Sequence, residues 1–215
     1  MKDFNDYSGA AFIIVIMFCF LCFYNMQFET SILQDTEMQP FAEPKQEMLT
    51  QPQEAFIIKK ENKSIEVTPI AKYKLYGRVL AIQCKKNKDS FNEFVPFDIA
   101  LGWNDFAIRK PFKYIKIVQV GRTSYWIAHS GCRYNCQQIQ AMYSNNHIIP
   151  ANKNIYNGLK NLNKKNILYI EGYLVNIKSN INGNMKGIDT SLSRTDTKSE
   201  IIYATKIITK KGVFQ

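Results

Sequence analysis

Residues 166–177 of the chain read NILYIEGYLVNI, and residues 200–209 read EIIYATKIIT. Both stretches are rich in Ile, Leu, Val and Tyr and carry only isolated charges, which is typical of β-strands packed against a core. Other stretches of the same kind predict five more strands: Phe56–Lys60, Ser64–Thr68, Lys72–Cys84, Phe112–Val120 and Thr123–Ala128. The chain is therefore expected to be mainly β.

Two short helices are expected between these strands. Residues of low polarity recur at helical spacing in two places: Cys132, Cys136, Ile139 and Tyr143, and then Ile155, Leu159 and Leu162. The predicted fold class is mainly β (α+β), a compact mixed sheet or a small OB-like or SH3-like barrel with two short helices. A single N-terminal transmembrane helix is expected to precede it.

The net charge of the chain is the sum of two opposite parts. The 215 residues include 28 Lys or Arg and 18 Asp or Glu, for a formal net charge of +10. Residues 1–55 hold two basic and eight acidic side chains, a net of −6, whereas residues 56–215 hold 26 basic and 10 acidic ones, a net of +16. Such an asymmetry indicates a segmented chain, and the 46% hydrophobic content excludes wholesale disorder.

The acidic front begins with a short tail, residues 1–9, and an apolar segment. Residues 10–24 read AAFIIVIMFCFLCFY without a charge, and the apolar character extends to residue 28. Residues 10–28 have the length of a bilayer-spanning helix. A cleaved signal peptide and a buried soluble helix are the alternatives; no small-residue cleavage site follows the apolar run, which favours an uncleaved anchor.

Charges beside the anchor indicate its orientation. Lys2 precedes the segment, and no Lys or Arg occurs from residue 25 to residue 44. By the positive-inside rule, this favours a cytoplasmic N-terminus. The expected location is the inner (cytoplasmic) membrane, crossed once, with the C-terminal domain in the periplasm or outside the cell.

A linker is expected between the anchor and the body. Residues 29–55 are acidic, rich in Gln, Glu and Thr, and contain Pro40, Pro44 and Pro52. This composition is typical of flexible linkers. The domain boundaries that follow are a flexible linker at 29–55 and a basic, mostly β domain at 56–215.

Several short motifs occur in a fixed order along the body. They are FDIALGW at 97–103, YW at 125–126, NHIIPA at 146–151, GYLV at 172–175 and SLSRTDT at 191–197. In this order they resemble an uncharacterised family of bacterial exported proteins, over about Phe94 to Thr209. The resemblance implies a shared exported fold and no known activity, and Cys132 and Cys136 lie outside the matching pattern.

Four residues are candidates for catalysis, although the sequence assigns none of them with certainty: His147, Asp98, Arg194 and Asp196. His147 could act as a general base with Asp98, Asp189 or Asp196 as orienting partner, and Arg194 could bind a carboxylate or phosphate. The plainer interpretations are a histidine bonded to the backbone at a strand entry, and an Arg194–Asp196 ion pair within a loop. Candidate ligand-binding residues are Arg194, Trp103, Trp126 and His147.

A second set of residues has the chemistry of zinc ligands. His129, Cys132, Cys136 and His147 follow the spacing H-x2-C-x3-C-x10-H, which fits no common zinc pattern. We therefore expect neither a metal nor a cofactor. Cys132 and Cys136 are instead interpreted as buried thiols on one helical face, or as a disulfide in an exported body.

The sequence favours a binding protein over an enzyme. Nucleophile elbow, P-loop, Rossmann and HExxH motifs are all absent. We expect a membrane-anchored envelope interaction protein, an accessory or structural subunit of a secretion, motility or conjugation assembly. Its expected partners are the inner-membrane bilayer and envelope proteins with acidic surfaces. The alternatives are an enzyme acting on an envelope substrate through His147, Asp98, Arg194 and Asp196, and an OB-like nucleic-acid-binding module, although nucleic acid is not an expected partner of an exported body.

Overall fold

Strand β3 (Lys63–Cys84) is long enough to pair with four other strands. Along one edge it pairs antiparallel with β2 (Phe56–Lys60), then β1 (Lys45–Met48), then β4 (Phe97–Gly102). Its other edge pairs antiparallel with β8 (Ile167–Ile181) over fourteen positions. Register shifts near residue 70 and residue 80 bend this strand and let it turn from one set of neighbours to the next.

The pairings around β3 form a closed circuit. Strand β4 pairs with β7 (Tyr143–Pro150), and β7 pairs with β10 (Glu200–Thr209). Strand β10 pairs with β8, which returns to β3. Four of these five pairings are antiparallel, and the β7–β10 pairing is parallel. The sheet is therefore mixed, with the strand order β3-β4-β7-β10-β8.

The other elements lie in the connections or at the edges of this circuit. They are α2 (Ser90–Phe94), a 3-10 turn (Asn104–Phe106), β5 (Ile115–Val120), β6 (Thr123–Ala128), α3 (Cys136–Gln140), α4 (Lys153–Lys160), β9 (Asn184–Ile188) and β11 (Gly212–Phe214). Strands β5 and β6 form a separate two-stranded hairpin in the connection from β4 to β7.

The computed structural model describes residues 13–21, 39, 41–51, 53–85, 90–107, 113–181, 184–193 and 199–215. The chain divides into two compact units, Met1–Gln39 and Pro40–Gln215. In the first unit, residues 13–21 form helix α1, whose side chains are exposed although most of them are apolar. Across the residues described, no helix combines the length and the apolar character needed to cross a bilayer.

The main hydrophobic core of the second unit lies inside the circuit. All five circuit strands contribute to it, and Ile155 and Leu159 of α4 complete it. Helix α4 begins at Asn152, whose side chain accepts a hydrogen bond from the backbone N–H of Ile155 at 3.0 Å. Neighbouring strand residues face opposite ways, so Leu174 lies in this core while Val175 lies in a second cluster on the outer side.

The expectation of a mainly β fold with a mixed sheet and short helices is confirmed. Strands β2, β6 and β10 have the predicted bounds, and α4 contains Ile155 and Leu159 of the second predicted helix but ends before Leu162. The two predicted strands Ser64–Thr68 and Lys72–Cys84 are parts of the single strand β3. The described part of the predicted membrane span, residues 13–21 of 10–28, is helical.

The predicted helix from Cys132 to Tyr143 is wrong at both ends. Helix α3 covers only Cys136–Gln140, because the side chain of Asn135 accepts a hydrogen bond from the Gln138 N–H and so fixes the start of the helix. Tyr143 begins strand β7. Cys132 therefore precedes the helix instead of sharing a helical face with Cys136.

Part of the predicted linker belongs to the folded body. Residues 45–48, within the expected linker 29–55, form strand β1 on β3. Phe41 stacks on Tyr76 with ring centroids 5.1 Å apart, and its carbonyl accepts a hydrogen bond from the Asn104 N–H at 2.7 Å. The edge of β3 between the β2 and β4 pairings would otherwise expose unpaired backbone groups, and β1 satisfies them. The folded body thus begins near residue 40.

Gly172 of β8 lies directly against the backbone of β10. A Cβ atom at this glycine would lie 2.0 Å from the Tyr203 carbonyl oxygen. We expect Gly172→Ala to lower the free energy of unfolding by about 3 kcal/mol, because backbone atoms would have to move apart. Urea denaturation measures the loss. The control is Gly187→Ala in β9, where a Cβ atom would meet no atom within 4 Å; equal losses in the two variants would contradict the closed circuit.

Candidate functional site

A polar cluster lies on the outer wall of the circuit, where β4 and β7 are paired. Asp98 stands directly opposite His147 in this pairing. The neighbours of Asp98, Phe97 and Ile99, point into the main core, so the Asp98 side chain points outward. The sequence prediction that Asp98 partners His147 therefore corresponds to a real contact: Asp98 Oδ1 lies 2.7 Å from His147 Nδ1.

Asp98 is fully buried and surrounded by cations. Its Oδ1 accepts a hydrogen bond from Arg122 Nη1 at 2.9 Å, and Lys85 Nζ lies 3.9 Å from its Oδ2. The side chains of Arg122 and Lys85 are themselves largely buried, with 25% and 14% exposed. A buried carboxylate is stable only when such partners replace its lost hydration. Among the described residues, the cluster thus has two permanent cations for one carboxylate.

The same cluster fastens the turn of the β5–β6 hairpin to the wall. The Gly121 carbonyl accepts a hydrogen bond from Lys85 Nζ at 2.7 Å, and the Arg122 carbonyl accepts one from Asn145 Nδ2 at 2.7 Å. Gly121 has a φ of 61°, a left-handed conformation that favours glycine at this tight turn. The turn is thus fixed to the wall both through its backbone and through the Arg122 side chain.

The Arg122 guanidinium reaches across the cluster to helix α2. It donates hydrogen bonds to the Asn92 side chain and, at 2.9 Å, to the Val95 carbonyl. It also lies over the Phe91 ring, with its central carbon 4.3 Å from the ring centroid. One arginine therefore connects the hairpin, the connection between β3 and β4, and the wall of the circuit.

The underside of the hairpin packs on an apolar cluster. Ile115, Ile117 and the half-buried Trp126 face the wall, where they meet Leu80 and Ala100. Burial raises the pKa of the nearby Tyr143 hydroxyl above its usual value. The hairpin is held by apolar packing along its length and by charge at its turn.

His147 is oriented by this arrangement. Its side chain is 12% exposed, and a neutral ring that donates Nδ1–H to Asp98 leaves Nε2 as a proton acceptor. This is the geometry of a carboxylate-oriented general base. The other two residues predicted to join this cleft, Arg194 and Asp196, lie outside the described residues.

The other predicted site residues lie elsewhere. Trp103 is buried in the main core and Trp126 is half-buried under the hairpin, so neither presents its ring as an open binding surface. The interpretation of Cys132 and Cys136 as buried thiols or a disulfide is wrong: both are free, Cys132 is half-buried and Cys136 is exposed. The Cys132 thiol contacts the Tyr134 carbonyl at 3.6 Å. Across the described ranges, no three His, Cys, Asp or Glu side chains are grouped so that they could hold a metal.

Sequence reasoning missed Arg122 and Lys85. Their partner Asp98 is 24 positions from Arg122 and 13 from Lys85 in the chain, so no local pattern connects them to it. The available signal was Asp98 itself: a carboxylate inside a run of apolar strand residues requires a buried counter-charge. That signal predicts a positively charged partner but does not identify the residue.

A scan of protein-family models and searches of curated proteins and of solved structures found no match to this chain.

The Asp98 cluster makes a direct stability prediction. Asp98→Asn keeps the shape of the side chain but leaves Arg122 and Lys85 without a counter-charge, so we expect a loss of about 3 kcal/mol in unfolding free energy. Hydrogen exchange should accelerate in residues 115–128 before the rest of the body. The control is Glu66→Gln, which removes an exposed pair with Lys178 and should cost less than about 1 kcal/mol. Losses of similar size, or unchanged hairpin exchange, would contradict the anchoring role.

Proposed function

We propose that this protein is a membrane-tethered binding protein of the bacterial envelope, which uses an OB-type barrel to hold an anionic partner. The OB-type assignment is supported by the strand order β3-β4-β7-β10-β8, with its parallel β7–β10 pair and with α4 between the third and fourth strands. In OB barrels the ligand face lies on the second and third strands, flanked by the connections between strands one and two and between strands four and five. Here that face is the outer wall of β4 and β7.

The single observation that carries the proposal is the charge of that face. Among the described residues, the Asp98 cluster on this face has two cations for one carboxylate. The chain between Asp105 and Glu171, which contains the hairpin, β7 and α4, has ten Lys or Arg residues and no Asp or Glu. An acid-free stretch of 65 residues in a folded body favours association with a negatively charged surface.

The tether is the part of the proposal that rests on the sequence. Residues 10–28 are apolar, and the described residues 13–21 are helical with exposed side chains such as Phe18 and Phe20. An apolar helix without a protein core over its side chains is suited to a bilayer. The proposed location is the inner membrane, with the body exported and serving as an accessory subunit of a larger envelope assembly.

Enzymatic hydrolysis of an envelope polymer is a second candidate, favoured by the Asp98–His147 contact of 2.7 Å. His147 would activate a water molecule at Nε2. The binding function has more support, because the residues that contact Asp98 have a structural role without any catalysis: they hold the turn of the β5–β6 hairpin. The nucleic-acid alternative is supported least, since Tyr73, Tyr76 and Tyr169 are buried instead of forming a stacking surface.

Binding of poly-aspartate, a mimic of an acidic protein surface, tests the charge argument. We expect the full chain in detergent micelles to bind it with an affinity that falls steeply with salt. The exposed pair Lys160→Glu and Lys164→Glu should weaken binding by about tenfold, or about 1.4 kcal/mol. Isothermal titration measures the affinity.

The matched control is Lys59→Glu with Lys186→Glu, which makes the same change in net charge at exposed positions outside the acid-free stretch. Binding should be nearly unchanged in this control. Equal weakening in the two double variants, or binding that does not respond to salt, would contradict the proposal.

A further inference from the structure

The outward side of the β5–β6 hairpin is an apolar surface. Val120, Tyr125 and Ile127 are 61%, 53% and 45% exposed, and Val118 stands opposite Tyr125 in the pairing. Lys116 stands opposite Ile127 and is also exposed. These five side chains, here called the outer hairpin face, alternate with the inward residues that pack on the wall.

The outer hairpin face is firmly supported from behind. Ile115 and Ile117 are buried beneath it, and the Arg122–Asp98 ion pair holds its turn. An exposed apolar surface on a well-anchored hairpin marks an interaction site more clearly than one on a loose loop. Because the hairpin is preorganised, little conformational entropy would be lost when it binds.

We propose that the outer hairpin face rests in the surface of an anionic lipid bilayer. This inference builds on the proposed membrane tether and names the surface that the tethered body contacts. Tyrosine beside aliphatic side chains suits the boundary between headgroups and acyl chains. Lys116 and the neighbouring exposed Lys113 would contact anionic headgroups while their methylene stems cover apolar surface.

Charge and composition distinguish this occupant from two others. A second copy of the chain would bring together two acid-free stretches, each with ten cations, and these repel one another. Single-stranded nucleic acid requires a row of aromatic rings, whereas this face presents one ring among three aliphatic side chains. An anionic bilayer satisfies the apolar centre and the basic surroundings together.

Photocrosslinking in the full chain tests the contact. Benzoylphenylalanine replaces Tyr125, or in a second variant Ile127, and each protein is reconstituted in vesicles of phosphatidylcholine with phosphatidylglycerol. The control position is Val213 in β11, which is 47% exposed. We expect lipid adducts, detected by mass spectrometry, several-fold more abundant at the hairpin positions than at position 213. They should fall in vesicles of phosphatidylcholine alone and after Lys113→Glu with Lys116→Glu.

Three results would overturn this inference. The first is an equal adduct yield at positions 125, 127 and 213, and the second is a crosslinked dimer as the main product. The third is seen when oligothymidine is added to the vesicles: an adduct to the oligonucleotide in place of the lipid adduct. The tether is tested separately by alkaline carbonate extraction of the unaltered chain from native membranes. Release into the carbonate supernatant would refute the tether, whereas a retained chain without hairpin adducts would refute the hairpin contact alone.

Discussion

The pairing of β3 with β8 is the constraint on which the rest of the body depends. Their paired residues are 89 to 116 positions apart in the chain, yet the strands share fourteen register positions and close the circuit. Closure leaves no open edge between them and encloses a core to which every strand of the circuit contributes. At Gly172, β8 lies directly against β10, because no side chain separates it from the Tyr203 carbonyl.

The closed sheet determines where the Asp98 cluster lies, and burial of the Asp98 carboxylate there carries a desolvation cost. A carboxylate on the outward side of β4 would be hydrated if the wall were bare, but the β5–β6 hairpin covers it. The hairpin supplies Arg122, and the end of β3 supplies Lys85, so that burial of one negative charge is offset by two positive ones. Anchoring the hairpin and making this face basic are therefore consequences of the same contacts.

Local patterns predicted the strands that are rich in β-branched and aromatic residues and the helix that has one apolar side. The bounds of strands β6 and β10 were predicted correctly, and so was the side of α4 that faces the core. Strand β4 was not predicted as a strand because all six of its residues are buried, which removes the alternation that marks a strand. Tyr143 was assigned to a helix from spacing alone, while its conformation is set by pairing with Gly102. The Asp98–His147 contact could be proposed from residue chemistry, but Arg122 reaches it only through the docking of the hairpin.

The proposed function requires that a basic binding domain stands outside the cytoplasm on a membrane tether. Paired reporter fusions after Gln215 test it most directly, one with alkaline phosphatase, which is active only after export, and one with β-galactosidase, which is active only in the cytoplasm. We expect strong alkaline phosphatase activity and weak β-galactosidase activity, both in the membrane fraction. Strong β-galactosidase activity with inactive alkaline phosphatase would place the body in the cytoplasm and contradict the claim.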